Sequence, residues 1–245
     1  MSFFKQGFLG GTLLLASNLF ALESVNLYTW LEYSKGHEYD IVLNGYIAEF
    51  RLNEKFSLVA ASAIGIEQEN ETRKHDSTAK DLALYPMYTF AQPSENGTPG
   101  FSVMAGVVLP TGHNFLSSPN TGYLAIANMP VKLFDDRLSV LTQLGHRHID
   151  VVDGEDVDRL YWGMFAEANI VNEYNLFTNF YTGSPFEIDV PSLSQEYGFS
   201  YTQSKNLKYI LLFGIQPELA GVSDADTTEY WGELGVELTL DFLQD

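Results

Sequence analysis

The chain has no cysteine in 245 residues. That excludes a disulfide framework, thiolate metal sites and a cysteine nucleophile, and it is compatible with the cell envelope. Basic residues are scarce too: thirteen Lys and Arg stand against thirty-two Asp and Glu, a formal charge of −19. A surface of that sign repels phosphate backbones, so nucleic acid is not expected as a partner. Beyond the N-terminal segment no apolar run approaches the ~20 residues a transmembrane helix needs, which excludes a helical membrane protein. No linker separates two cores, and a single domain is expected.

What is present is alternation. From Thr228 to Phe242, Tyr230, Leu234, Val236, Leu238, Leu240 and Phe242 fall on one face and Glu229, Glu233, Glu237 and Asp241 on the other. Successive strand side chains point to opposite faces, so this stretch is a strand with one apolar and one carboxylate face. It is longer than most globular strands and exceeds the roughly 9–11 residues with which a tilted strand crosses a bilayer.

Residues 1–21 read as a signal peptide, with Lys5 at its positive end and an apolar segment from Gly7 to Ala16. Residues 22–245 are then the mature domain. Within it, alternating segments recur at Ser24–Ser34, Asp40–Leu52, Phe56–Glu67, Asp81–Phe90, Phe101–Leu109, Gly122–Phe134, Leu138–Ile149, Arg159–Ile170, Asn175–Gly183, Ser192–Gln203 and Leu207–Gln216, ahead of the closing strand. Tight turns at Asn53–Lys55, Asp135–Arg137, Val171–Tyr174 and Ser204–Asn206 alternate with longer polar links at Asn70–Lys80, Thr111–Thr121, Asp150–Asp158, Ser184–Pro191 and Glu218–Asp226. Outer-membrane barrels alternate short periplasmic turns with longer external loops, and the expected fold is an all-β, transmembrane, antiparallel up-and-down barrel of about twelve strands. The link Ala91–Gly100 departs from that order. Pro86 and Pro130 fall inside strands and predict bulges, since proline cannot donate to a ladder. Trp30, Phe50, Phe56, Tyr88, Phe134, Trp162, Tyr174, Tyr197, Tyr230 and Phe242 are assigned to the two membrane interfaces, where amphipathic rings settle.

The stretch Lys80-Asp81-Leu82-Ala83-Leu84-Tyr85-Pro86-Met87-Tyr88, followed by Val107-Val108-Leu109-Pro110-Thr111-Gly112, resembles the outer-membrane "transporter" family named after the meta-pathway of phenol degradation. The resemblance implies a porin-like barrel passing small solutes, hydrophobic ones among them, and supplies no catalytic residues.

On the strand registers, the pore-lining candidates are Glu32, Glu49, Arg51, Arg147, Arg159, Glu167, Lys208, Glu229, Glu233, Glu237 and Asp241. Acidic residues on the first, second and last strands face Arg147 and Arg159 across the ring, with Lys132 added to the basic side, and a net acidic lumen predicts cation preference. Lys208 with Asp241 and Arg51 with Glu49 are expected as neutralising pairs. His146, His148 and Asp150 share a face, but that face continues the lipid-facing register, and no metal site is assigned. Asp153–Asp158 lacks the twelve-residue calcium loop and reads as a solvated loop. His113, Asn114, Ser117 and Ser118 are the residue types of a hydrolase without the spacing that sets a base against a nucleophile. The expected function is a passive outer-membrane channel for small solutes. Outer-membrane lipid and the barrel assembly machinery are its expected partners, with no cofactor. The alternatives are an outer-membrane enzyme acting on lipid and a structural barrel with a plugged lumen.

Overall fold

The computed structural model describes residues 22–35, 39–69, 75–112, 121–149, 157–182, 193–216 and 228–242; the signal-peptide segment lies outside them. All their regular structure is β: β1 (Ser24–Lys35), β2 (Tyr39–Asn53), β3 (Phe56–Glu69), β4 (His75–Ala79), β5 (Leu82–Ala91), β6 (Phe101–Leu109), β7 (Gly122–Leu133), β8 (Leu138–Ile149), β9 (Val157–Val171), β10 (Tyr174–Thr182), β11 (Leu193–Ser204), β12 (Leu207–Gln216) and β13 (Glu229–Asp241). Apart from β4 and β5, which do not pair with each other, the strands pair antiparallel with their sequence neighbours. β1 pairs with both β2 and β13, and the twelve register pairs from Ser24↔Asp241 to Lys35↔Tyr230 close the ring. Closure satisfies the edge amides that hydrocarbon could not hydrate.

Thirteen segments make a twelve-stranded barrel because β4 and β5 share one edge of β3. β4 pairs with Ile64–Gln68 and β5 with Phe56–Ala61, so they form one ring position broken at Lys80-Asp81. The link Asn70–Lys80 read from the sequence therefore contains a strand. His75-Asp-Ser-Thr-Ala79 has no apolar alternation of its own; what orders it is the ladder offered by β3. The break is held by four hydrogen bonds. Lys80 N–H donates to the Ala63 carbonyl (2.9 Å), Ser62 Oγ to the Lys80 carbonyl (3.1 Å), Leu82 N–H to Thr111 Oγ1 (2.9 Å) and Gly112 N–H to Asp81 Oδ1 (2.9 Å). The two pieces of the family-like motif thus meet in space. Gly112 is required there, since a Cβ would lie 2.2 Å from the Ala79 carbonyl oxygen.

The prolines do not act as expected. β5 pairs with β6 in one register on both sides of Tyr85-Pro86, from Leu84↔Val107 to Met87↔Met104, and Pro130↔Leu141 sits in an unshifted ladder. The register shifts fall instead at Arg51/Asn53, Thr89/Ala91, Tyr174/Asn175 and Thr202/Ser204, all at the end of the barrel carrying the tight turns. Bulges concentrate at barrel rims, where twist must be absorbed. At the same end Phe134, Asp135, Asp136 and Asn172 take positive φ in two of the turns. The link after β5 folds on itself through Ser94 and Thr98 and ties to the turn between β2 and β3 through Gln92 Nε2 on the Glu54 carbonyl (3.2 Å).

Outward faces are apolar. Leu160, Leu234, Leu144, Ile64 and Ile66 are all more than half exposed, and such side chains recur on most strands. A continuous apolar belt of that size is foreign to a water-soluble surface and fits hydrocarbon. Aromatic rings gather at its turn-side rim, where Tyr88, Phe90 and Phe101 pack together, as do Tyr174, Tyr201 and Tyr209. Trp30 does not join them; it points into the lumen.

Candidate functional site in the barrel lumen

Register decides which side chains share the lumen. On β1 the even positions Asn26, Tyr28, Trp30 and Glu32 point inward, and they lie beside Thr239, Glu237, Gly235 and Glu233 of β13. Glu32, Glu233 and Glu237 therefore share one wall, and Glu196 of β11 joins them. Each carboxylate accepts from neutral donors. Tyr28 Oη donates to Glu233, Asn26 Nδ2 to Glu237 (3.1 Å) and Trp30 Nε1 to Glu32 (3.2 Å). Glu196 receives Asn179 Nδ2 (2.7 Å), Tyr181 Oη (2.8 Å) and Trp231 Nε1 (3.3 Å). These hydrogen bonds fix the carboxyl groups along the wall.

Glycine makes room for the rings. A Cβ at Gly45 would lie 2.1 Å from the Trp30 ring, and one at Gly214 1.9 Å from the Trp231 ring. Both glycines are direct register partners of the tryptophan they cradle, so the indoles lie flat on the wall and aim their N–H groups at carboxylates. Tyr28 and Trp30 stack at 5.3 Å.

The facing wall is apolar and packed. Ala61, Ala83, Tyr85, Val108, Leu124, Ile126 and Tyr161 are buried together, with Ile47, Val59, Met104 and Tyr181 against them. All point inward, yet Tyr85 is 0% and Ile126 1% exposed. Side chains fill this part of the lumen to the exclusion of water. Toward the turn end the packing stops at a row of polar side chains across four strands: Tyr161 Oη donates to Gln143 (2.8 Å), Gln143 Nε2 to Asn128 (2.7 Å) and Asn128 Nδ2 to Ser102 Oγ (3.3 Å). A cavity of about 320 Å³ lies beneath that row, and a more polar one of about 460 Å³ lies beside it, walled by Arg137, Glu167, Asn169, Asn175 and Lys208.

The candidates read from the sequence distribute over this lumen. Glu32, Glu233 and Glu237 stand on the acidic wall. Glu229 is beside Gln216 at the loop end, and Glu49 lies 3.9 Å from Arg51 at the turn end. Lys208 does not pair with Asp241: it reaches across the lumen to Glu167 of β9 at 2.6 Å, while Asp241 meets Lys205 at 3.7 Å. Both Lys208 and Glu167 point inward on strands three places apart, so a chord shorter than the path along the wall joins them. Arg147 is buried on the far side of the ring, registered with Leu124 and with Arg159, whose side chain lies outside those described. The sequence reading missed Glu196, Tyr28, Trp231 and Tyr85. The available signal was an inward glycine registered against an inward aromatic, as in Trp30↔Gly45.

On the outer face, His146 Nε2 and His148 Nδ1 approach Asp158 Oδ1 at 3.2 and 3.0 Å; Asp150 is outside the described residues. Among the described residues no three His, Asp or Glu side chains are grouped to hold a metal ion. His113, Asn114, Ser117 and Ser118 also lie outside.

Comparison with solved structures gives the same architecture. An outer membrane channel from Pseudomonas putida F1 superposes with a TM-score of 0.63 over 89% of this chain and 96% of its own, at 9% identity. The NanC porin superposes at 0.58 over 87% of this chain and 100% of its own, at 10% identity. The KdgM porin, solved with disordered oligogalacturonate, superposes at 0.52 over 86% of this chain and 98% of its own, at 14% identity. The fold is that of outer-membrane barrels. No family model and no curated protein matches the sequence.

Proposed function

We propose that this chain is a passive outer-membrane channel for small solutes, narrow and cation-preferring, exported by residues 1–21 and placed by the barrel assembly machinery. One observation carries the reading: a closed barrel with a lipid-compatible exterior directs a fixed row of carboxylates and indoles at its lumen instead of filling the whole of it with apolar side chains. Carboxylates of one sign along a narrow path favour counter-ions. The two stretches that resemble the phenol meta-pathway family meet through contacts between Asp81, Leu82, Thr111 and Gly112. The resemblance itself is the reason for a solute range reaching hydrophobic molecules.

Purified protein in planar bilayers tests the reading. Discrete conductance steps are expected, and lipid turnover without conductance would replace the channel with an enzyme. A second reading, a structural barrel with a stopped lumen, draws on the dry packing around Tyr85 and is what folded, silent protein would indicate.

A further inference from the structure

The 320 Å³ cavity under the polar row has walls of two kinds. Met87, Met104 and Leu141 supply apolar surface; Ser57, Ser102 and Asn128, at 5, 7 and 5% exposure, supply polar surface. The Asn128 amide is engaged on both sides, accepting from Gln143 and donating to Ser102. Ser57 differs. Its register partners Arg51 and Met87 place it on the inward face, it lines the cavity, and among the described residues its hydroxyl has no protein hydrogen-bond partner. The Ser102 hydroxyl accepts from Asn128 and keeps its own proton for another acceptor. A buried polar group without a partner costs about 1–3 kcal/mol unless a ligand or water satisfies it. Three charged side chains also line this cavity, Glu54 and the pair Glu49 and Arg51, which stand 3.9 Å apart, and the buried Glu49 Oε1 has no hydrogen-bond partner among the described residues.

We infer that this cavity is a binding site for a small uncharged solute with one hydroxyl or carbonyl head and a compact apolar body. Ser57 holds the head, and Met87, Met104 and Leu141 pack the body. At interior packing density the space takes on the order of ten non-hydrogen atoms. The apolar side chains disfavour an ion stripped of its hydration, and Glu49 and Glu54 disfavour an anion in particular. The site rests on the channel reading in being a halting place for a solute inside the barrel, but binding is measurable without conduction.

Methionine methyl groups provide the probe. Met87 and Met104 line the cavity, whereas Met129 and Met164 face outward. With ¹³C-methyl methionine in detergent-solubilised protein, cyclohexanol should shift the Met87 and Met104 resonances saturably, and Met129 and Met164 only in proportion to concentration. Methylcyclohexane, which lacks the head group, should bind the two inner methyls at least about fivefold more weakly, the loss of one hydrogen bond. Ser57→Ala should reduce cyclohexanol affinity by a similar factor and leave methylcyclohexane unchanged. Equal shifts at all four methyls, or equal affinity for the two probes, would overturn the site. Saturable binding in protein that never conducts would retain the site and remove the channel; conduction without saturable binding would do the reverse.

Discussion

Tyr85 lies on the inward face of β5 with none of its surface exposed, its ring against the backbone of β6 at Gly106. A Cβ at Gly106 would stand 2.0 Å from the Leu84 carbonyl oxygen and 2.7 Å from the Tyr85 ring. Backbone at that distance cannot yield cheaply, so Gly106→Val should lower the temperature at which the folded form converts on semi-native gels. An unchanged conversion temperature would show that the two strands separate freely. Tyr85→Ala removes the ring from the packed cluster at a cost of about 3–5 kcal/mol. If that cluster throttles the lumen, single-channel conductance should at least double; unchanged conductance would place the path wholly along the acidic wall. Little of this was legible beforehand. Leu82 to Met87 is apolar at every position, so the alternation that tells inside from outside is missing where it matters most. Glu233 and Glu237, separated by apolar residues, are assigned to the pore from the sequence alone; in the barrel they pair with Leu212 and Lys208 of β12.

Among the elements, β4 and β5 show what alternation cannot report. β4 is ordered by its neighbour, and two of the contacts that hold the break after it are Asp81 with the Gly112 amide and Thr111 with the Leu82 amide. Asp81→Ala and Thr111→Val should each cost about 1 kcal/mol and accelerate hydrogen exchange locally, at Leu82, Gly112 and β4. Acceleration spread evenly around the barrel would mean the break has no local stability of its own. The strands with an alternating apolar face were readable because lipid outside and water or dipoles inside demand a period of two. The prolines misled for a different reason: the Pro86 ring interrupts the ladder to β6 without adding a residue to it, so the register survives.

For the whole molecule the charge pattern bears on the cation preference proposed above. Glu32, Glu196, Glu233 and Glu237 line one wall, and two of the lumen cations, Lys208 and Arg51, are already beside carboxylates. The reversal potential in a salt gradient should show cation preference, weakened in Glu233→Gln/Glu237→Gln. Raising the salt should weaken it too, because the Debye length falls to about 3 Å at 1 M. Anion preference, or no response to losing both carboxylates, would remove the acidic wall from the conduction path. The ring that carries this wall closes without a seam: the Phe242 amide donates to the Glu23 carbonyl at 2.9 Å, next to the Ser24↔Asp241 pair. Residues 23 and 242 are therefore close enough for a short peptide to join them, and the chain can be cut at another hairpin, such as Lys205-Asn206, without changing any strand's neighbours. The order of synthesis is thus separable from the barrel it makes, and a permuted chain would show whether insertion reads a particular last strand or only the finished circle.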